Sequence, residues 1–240
     1  SPTSNLAHPG VHVPPLPPSR EHAQPLADYK LLPGAAATGT EGRRGLAAIT
    51  FRTPSGTDKL VTDCLAVSGG WNPTVHLTCH MNGRPNWDEG LASFVPAPGA
   101  IPGLHPCGSA NGAMDTAGCL ASGVQAAMEA LKALSIDAQA PSVPEAPDDP
   151  YRMATPPHVP GKGRAWLDFQ KHVTVKDIKQ AATENFASVE HMKRYTTQGM
   201  ATDQGKNSNV AALAILADAT GRGIPETGTT TFRPPYSPVA

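Results

Sequence analysis

The chain has few cysteines, four in 240 residues, and Cys64, Cys79, Cys107 and Cys119 stand at wide and irregular separations. No Cys-x-x-Cys pair occurs, which removes the usual spacing of a structural zinc or a thioredoxin-like dithiol. Reduced thiols in a cytoplasmic protein are the expected state. Long hydrophobic runs are missing as well. The apolar stretches are broken every few residues by Gly, Ser or Asp, far short of the ~20 continuous apolar residues of a spanning helix. No charged segment followed by an apolar one opens the chain, so no secretory signal is seen. Neither sign of charge dominates: 19 Lys and Arg stand against 20 Asp and Glu. That balance argues against nucleic acid or an anionic membrane as a general partner. Gly-x-Gly-x-x-Gly, the turn that brings a pyrophosphate onto a helix start, does not occur. No Ser/His/Asp grouping or pair of carboxylates in helical register offers hydrolytic chemistry.

Proline, by contrast, is abundant. Of 26 prolines, eight fall in the first 33 residues and seven between Pro141 and Pro160. Residues 1–44 therefore read as a Pro-rich, disordered leader and residues 138–163 as a linker. Val13-Pro14-Pro15-Leu16-Pro17-Pro18 fits a draped arm better than a ligand for a Pro-recognising module.

Ordered structure is expected from Gly45. Residues 46–53 read as a strand, Pro54-Ser55-Gly56-Thr57 as its turn and residues 59–63 as the return strand. Residues 64–70, an apolar run stopped by Gly69-Gly70, read as a buried parallel strand opening into a loop, the place where α/β sheets hold ligands. Residues 104–113 form a strand and glycine-rich turn that leads into a helix of small residues through Leu131. Backbone amides at the start of such a helix suit a phosphate, although turns of this kind often only pack a helix on a sheet.

A different pattern begins at Gly163. Thr174-Val175-Lys176-Asp177 is a capping box with Asp in place of Glu, opening a helix through Ile178, Ala181 and Ala182. Ser188 caps a second helix carrying Val189, Met192 and Tyr195. Residues 210–220 read as a buried helix stopped by Gly221. Between these helices lies a run of hydroxyls, glycines and one cation, from Arg194 to Lys206. It reads either as a loop that holds a ligand or as a solvated connection whose threonines cap helices. Lys193 and Arg194 read as an exposed helix end near a favourable dipole. His76, Cys79 and His80 are close enough to suggest a metal, but no carboxylate or second cysteine stands at ligand spacing, so no metal site is expected. The fold class expected from the residues is thus an α/β fragment, part of a Rossmann-like nucleotide-binding domain, followed by a small all-α domain.

Several long motifs carry a resemblance. Residues 64–77, ending Gly69-Gly70-Trp71-Asn72-Pro73-Thr74-Val75-His76-Leu77, are similar to the late part of the NAD-binding domain in the alpha subunits of heterotetrameric sarcosine oxidases. Trp166-Leu167-Asp168-Phe169-Gln170, Ser188-Val189-Glu190-His191-Met192-Lys193-Arg194-Tyr195-Thr196-Thr197, Gly199-Met200-Ala201-Thr202-Asp203-Gln204-Gly205-Lys206 and Gly228-Thr229-Thr230-Thr231-Phe232-Arg233-Pro234-Pro235-Tyr236 resemble the segment that follows it. The resemblance runs from about Ala47 to Ala240. It implies the end of an NAD-binding domain at 45–137, a helical domain at 164–223, and a connection at 224–240 toward a folate-binding domain. Members of the family are far longer, so the chain is expected to be an internal or truncated piece, inactive in isolation.

The same resemblance implies oxidative demethylation of sarcosine to glycine, with formaldehyde or 5,10-methylenetetrahydrofolate and hydrogen peroxide as products. FAD would sit on the beta subunit, FMN at the interface with it, NAD on the intact alpha subunit, and beta, gamma and delta subunits would be partners. Thr196, Thr197, Gly199, Thr202, Gln204, Gly205 and Lys206 would line the FMN. Ser68, Gly69, Gly70, Gly108, Ser109, Ala110, Asn111 and Gly112 would rim the NAD site. No catalytic residue is expected in this chain. The helical part is also similar to the [2Fe–2S] domain of bacterioferritin-associated ferredoxin. On that likeness Asp168, Gln170, Asp203 and Ser208 stand where relatives place thiolates, so no iron–sulfur cluster is expected. Two other readings are a non-catalytic subunit-interaction fragment and an electron-transfer subunit of a related amine, opine or proline dehydrogenase.

Overall fold

The computed structural model describes residues 11–12, 30–32, 34–67, 70–146, 161 and 163–232. Ser68, Gly69, most of the Pro-rich leader and linker, and residues 233–240 lie outside the described residues. The chain divides into two compact units, one of Ser1–Gly70 with Arg152–Gly163 and one of Trp71–Tyr151 with Arg164–Ala240.

In the first unit, β1 (Val11–His12) pairs in parallel with β2 (Lys30–Leu31). The strands β3 (Ala36–Glu41), β4 (Ala48–Thr53) and β5 (Gly56–Val61) form an antiparallel meander in that order. The expected hairpin is present. Thr53 pairs with Gly56 across the Pro54-Ser55 turn, and Gly56, at φ 147°, takes a conformation that side chains disfavour. Ala48, Ile49 and Phe51 bury one face of β4 with Ala35, backed by Leu32, Leu46, Leu60 and Leu65.

Two expectations need correction here. β3 falls inside the stretch read as a loose leader: its Ala-Ala-Thr-Gly-Thr-Glu sequence has no apolar periodicity, and the strand exists because β4 offers it a ladder. Residues 64–67 are not a buried parallel strand. They carry no strand, Cys64 is exposed and Val67 is 83% exposed. Thr62 folds back on this stretch instead, its Oγ1 donating to the Cys64 carbonyl at 2.9 Å and accepting from the Cys64 amide. An apolar run marks burial only where another layer covers it. Among the described residues the three-stranded sheet is antiparallel, without parallel βαβ layers.

The second unit contains α1 (His76–His80), the hairpin β6 (Asn86–Asp88) and β7 (Ser93–Val95), a 3-10 turn (Gly108–Asn111), and α2 (Thr116–Ala133). A second hairpin, β8 (Trp166–Asp168) with β9 (Val173–Thr174), leads into α3 (Val175–Thr183), α4 (Val189–Thr196), α5 (Asn209–Thr220) and α6 (Ile224–Thr227). None of the described helices is long and apolar enough to cross a membrane.

The helical core follows from local sequence. The Asp177 carboxylate accepts from the Thr174 amide at 2.8 Å, while Thr174 Oγ1 accepts from the Asp177 amide, completing the capping box that opens α3. Val175, Ile178 and Ala181 then fall on one buried face. α4 has Glu190 in its first turn and Lys193 and Arg194 in its last, the arrangement the helix dipole favours. Ser188 occupies its N-cap position, but the hydroxyl makes no capping bond. α5 is apolar all round and central, with Ala212, Leu213, Ile215, Leu216 and Ala217 buried. It ends at Gly221, φ 67°, where the Arg222 amide returns to the Ala217 carbonyl.

Ile178 and Leu216 are fully buried, each burial contributing about 1.5–3 kcal/mol. Phe94 of β7 sits in the same core as Val173, Ile178, Met192 and Leu213, with Trp87 edge-on to it at 5.2 Å. Residues 71–137, expected with the strands upstream, therefore group with the helices. α2 differs from the others: it is capped by Asp115, whose Oδ1 accepts from the Gly118 amide at 2.6 Å, yet none of its 18 residues is fully buried.

Candidate functional site

The loop between α4 and α5 is a succession of tight turns. Thr197, Gly199, Gln204 and Gly205 all have positive φ, between 53° and 74°. The Met200, Gln204, Lys206 and Ser208 amides bond the carbonyls of Thr197, Ala201, Asp203 and Gly205. Gly199 and Gly205 are required by packing as well as by φ, since a Cβ at either would collide with the Asn209 side-chain amide.

Asp168, at the end of β8, anchors the loop from outside. It is 3% exposed. Its Oδ2 accepts from the Gly199 amide at 3.0 Å and its Oδ1 from the Gln170 and Lys171 amides at 3.0 and 2.9 Å. Gln170 Oε1 accepts from both the amide and the hydroxyl of Thr202, at 3.1 and 2.9 Å. Inside the loop, Asp203 accepts from the Gly205 amide at 3.2 Å. The buried Gln198 donates to Ser208 Oγ at 2.6 Å, leaving its own Oε1 unpaired. The four positions aligned with thiolates thus converge on one loop, and each accepts a hydrogen bond there.

A wall forms behind the loop. Asn209 donates to Thr230 Oγ1 at 3.3 Å, Lys193 Nζ to the Thr231 carbonyl at 2.8 Å, and the Thr231 amide to Glu190 at 2.6 Å. These bonds hold Phe232 so that its ring centroid lies 3.8 Å from that of His76. His80 Nδ1 is 3.2 Å from the Phe232 carbonyl. His76 is buried, and neither ring nitrogen reaches a hydrogen-bond partner. Burial first, then the positive charges of Lys206 and Lys193, push its pKa down to about 4, against an opposing contribution from the Gln204 backbone. Burial likewise raises the Cys79 thiol to about 11. No cluster of metal-ligating side chains occurs among the described residues.

The structure gathers Thr196, Thr197, Gly199, Thr202, Gln204, Gly205 and Lys206 in or beside this one loop. The hydroxyls of Thr196 and Thr202 are already engaged, with the Met192 carbonyl and with Gln170. Gly108, Ser109, Ala110, Asn111 and Gly112 lie together in the turn ahead of α2. There the Gly108 amide is taken by Ser122 Oγ at 3.1 Å and the first turn of α2 by the Asp115 carboxylate. Gly70 belongs to the first unit. His76 and Asn209 are the two members of the loop's surroundings that sequence reasoning missed. No local spacing links α1 to Lys206, and Asn209 reveals itself only through the two glycines pressed against it.

Comparison with known proteins defines the class and then the family. The chain is similar to the crystal structure of L-proline dehydrogenase from P. horikoshii, with a TM-score of 0.63 at 17% identity, covering 89% of this chain and 44% of that one. This likeness places it in the same mixed α/β fold. Residues 162–240 match the sarcosine oxidase A3 domain. The chain is 39% identical over 214 residues to sarcosine oxidase subunit alpha of Rhizobium meliloti (strain 1021), covering 88% of this chain and 22% of that protein. It is 40% identical over 188 residues to sarcosine oxidase subunit alpha of Corynebacterium sp. (strain U-96), covering 74% and 19%. Over most of its length the chain is therefore a homologue of sarcosine oxidase subunit alpha, and it spans about a fifth of the length of these curated relatives.

Proposed function

We propose that the chain serves as part of the alpha subunit of a cytoplasmic sarcosine oxidase, and that its 196–206 loop lines an FMN borne by the beta subunit. The observation that carries this reading is the Asp168-anchored loop, rigid before any ligand arrives, with Lys206 on it. Preformed amides and a lysine suit a phosphate or the polar edge of an isoalloxazine ring. The flavins would supply the redox chemistry, FAD on the beta subunit oxidising the amine and FMN passing electrons to oxygen, which leaves as hydrogen peroxide. This chain's residues hold and orient. Asp168 and Gln170 fix the loop backbone, Gln198 and Asn209 fix its base, and Lys206 offers positive charge. Tetrahydrofolate on a folate-binding domain would take the one-carbon unit as 5,10-methylenetetrahydrofolate, formaldehyde being released without it. Gamma and delta subunits would complete the heterotetramer.

An iron–sulfur cluster does not fit the donor set. Asp168, Gln170, Asp203 and Ser208 offer hard oxygens, each already accepting a hydrogen bond, whereas such clusters need soft thiolates. The NAD reading applies to the intact subunit, with Ser68, Gly69, Gly70 and the 108–112 turn as one rim. Its amides at Gly108 and Gly118 are already spent, so the isolated chain is expected to bind NAD poorly. The fold shared with L-proline dehydrogenase favours one second reading, a subunit of a related amine or proline dehydrogenase.

The test is to mix the purified chain with the beta subunit and follow co-elution and flavin absorbance. Co-elution with a changed flavin spectrum supports the interface; separate elution contradicts it. Stoichiometric iron and sulfide in the purified chain would contradict the absence of a cluster.

A further inference from the structure

Among the described residues, the buried side-chain atoms without a hydrogen-bond partner are Nδ1 and Nε2 of His76 and Oε1 of Gln198. All three belong to the 196–206 loop or to its immediate surroundings. Leaving one buried polar group unpaired costs about 1–3 kcal/mol, and an imidazole with both nitrogens unpaired calls for a specific explanation. Nothing in its sequence neighbourhood provides one. Cys79 and His80 share α1 with it, but no metal-ligating cluster forms.

The surroundings select the sign of a missing partner. Lys206 approaches from the loop and Lys193 from α4, both close enough to disfavour a positive charge on the ring. A cation would be repelled there, while an anion would be drawn in. A neutral imidazole can donate through one nitrogen to an anionic oxygen and accept a protonated oxygen through the other. Phe232 is the cover: its ring lies on the imidazole, and the segment carrying it is held by hydrogen bonds from Asn209, Lys193 and Glu190. A ligand reaches His76 where Phe232 moves aside.

We propose that His76 is a ligand-contacting residue of the 196–206 site, hydrogen-bonding the phosphate-type anion that the loop and Lys206 take up. This rests on the flavin reading of the same loop and identifies the part of FMN that would reach the ring, its phosphate. The titration of the ring gives the expected linkage. With a free pKa of about 4, His76 is neutral at pH 7, and a bound anion offsets the two lysines and raises that value. Binding then takes up a proton, and affinity rises as pH falls from about 6.5 toward 4 relative to a chain lacking the imidazole.

The experiment is NMR of the full chain with histidine-ring 15N labelling, titrated with FMN, with riboflavin, which lacks the phosphate, and with inorganic phosphate. Expected are FMN-induced movement of both His76 nitrogen signals, a raised titration midpoint, and the same direction of change with inorganic phosphate at higher concentration. Riboflavin should leave them unmoved, and His76→Phe and His76→Asn should weaken FMN binding about tenfold while Lys206→Met weakens it independently. If FMN binds and Lys206→Met weakens it, but the His76 signals stay fixed and the His76 variants bind equally well, the inference fails and the flavin reading stands. Equal shifts from riboflavin also overturn the phosphate contact. If FMN binds neither the chain alone nor the chain mixed with the beta subunit, both fail. The wild-type signals provide this answer even if a substituted chain folds poorly.

Discussion

The Asp168 carboxylate holds the Gly199 amide at 3.0 Å, joining two loops 31 residues apart in the chain. Because the same carboxylate also caps the Gln170 and Lys171 amides, one buried side chain sets the geometry of the β8–β9 turn and of the candidate site together. Asp168→Ala leaves three amides without their acceptor. Charge-assisted bonds of this kind contribute about 1.5–3 kcal/mol each, not additively. We expect unfolding free energy to fall by about 2–4 kcal/mol in urea denaturation, with a smaller loss for Asp168→Asn, which keeps one acceptor oxygen.

Gly205→Ala should act on the site through Asn209. The new methyl group would displace the Asn209 amide and would strain a residue at φ 74°. A loss of about 1–3 kcal/mol is expected from the backbone alone, with the Asn209 to Thr230 bond broken as well. Amide exchange in residues 228–232 should rise in this variant and stay unchanged in Gly39→Ala, which meets nothing within 4 Å.

The α3 capping box predicts a smaller and separable effect. Thr174→Ala should cost about 0.5–2 kcal/mol, measured as a shift in the urea midpoint. Adding Asp177→Ala should cost less than the sum of the two single changes, because each residue's bond depends on the other.

His76 makes stability depend on pH. Its folded pKa of about 4 lies below the ordinary 6.5, so between those values the unfolded chain binds a proton that the folded chain refuses. Stability is therefore complete above pH 6.5 and declines as pH falls toward 4, by on the order of 3 kcal/mol at most. Unfolding curves of the wild type between pH 7 and pH 4.5 should show this slope, and His76→Phe should flatten it.

Features written in a few adjacent residues were legible. The Thr174/Asp177 capping box, the Gly221 stop and the turn after Thr53 each depend on local backbone chemistry, and each appears where the residues place it. What depended on distant partners was not. Nothing in residues 36–41 announces a strand, because only β4 makes one of them. Residues 64–67 look like a core strand, but no layer covers Val67. Phe94 joins the helical core from a hairpin far upstream in the chain. For the site, the loop was visible as hydroxyls, glycines and a lysine, while His76 reaches it only through the tertiary fold.

The account turns on whether the 196–206 loop faces a flavin carried by another chain. The most direct measurement is the visible difference spectrum of the flavin-loaded beta subunit on adding this chain, wild type against Lys206→Met. The account predicts a saturable shift of the flavin bands with the wild-type chain, weakened about tenfold or more by the substitution. A flat difference spectrum, or an identical one for the two chains, would contradict it.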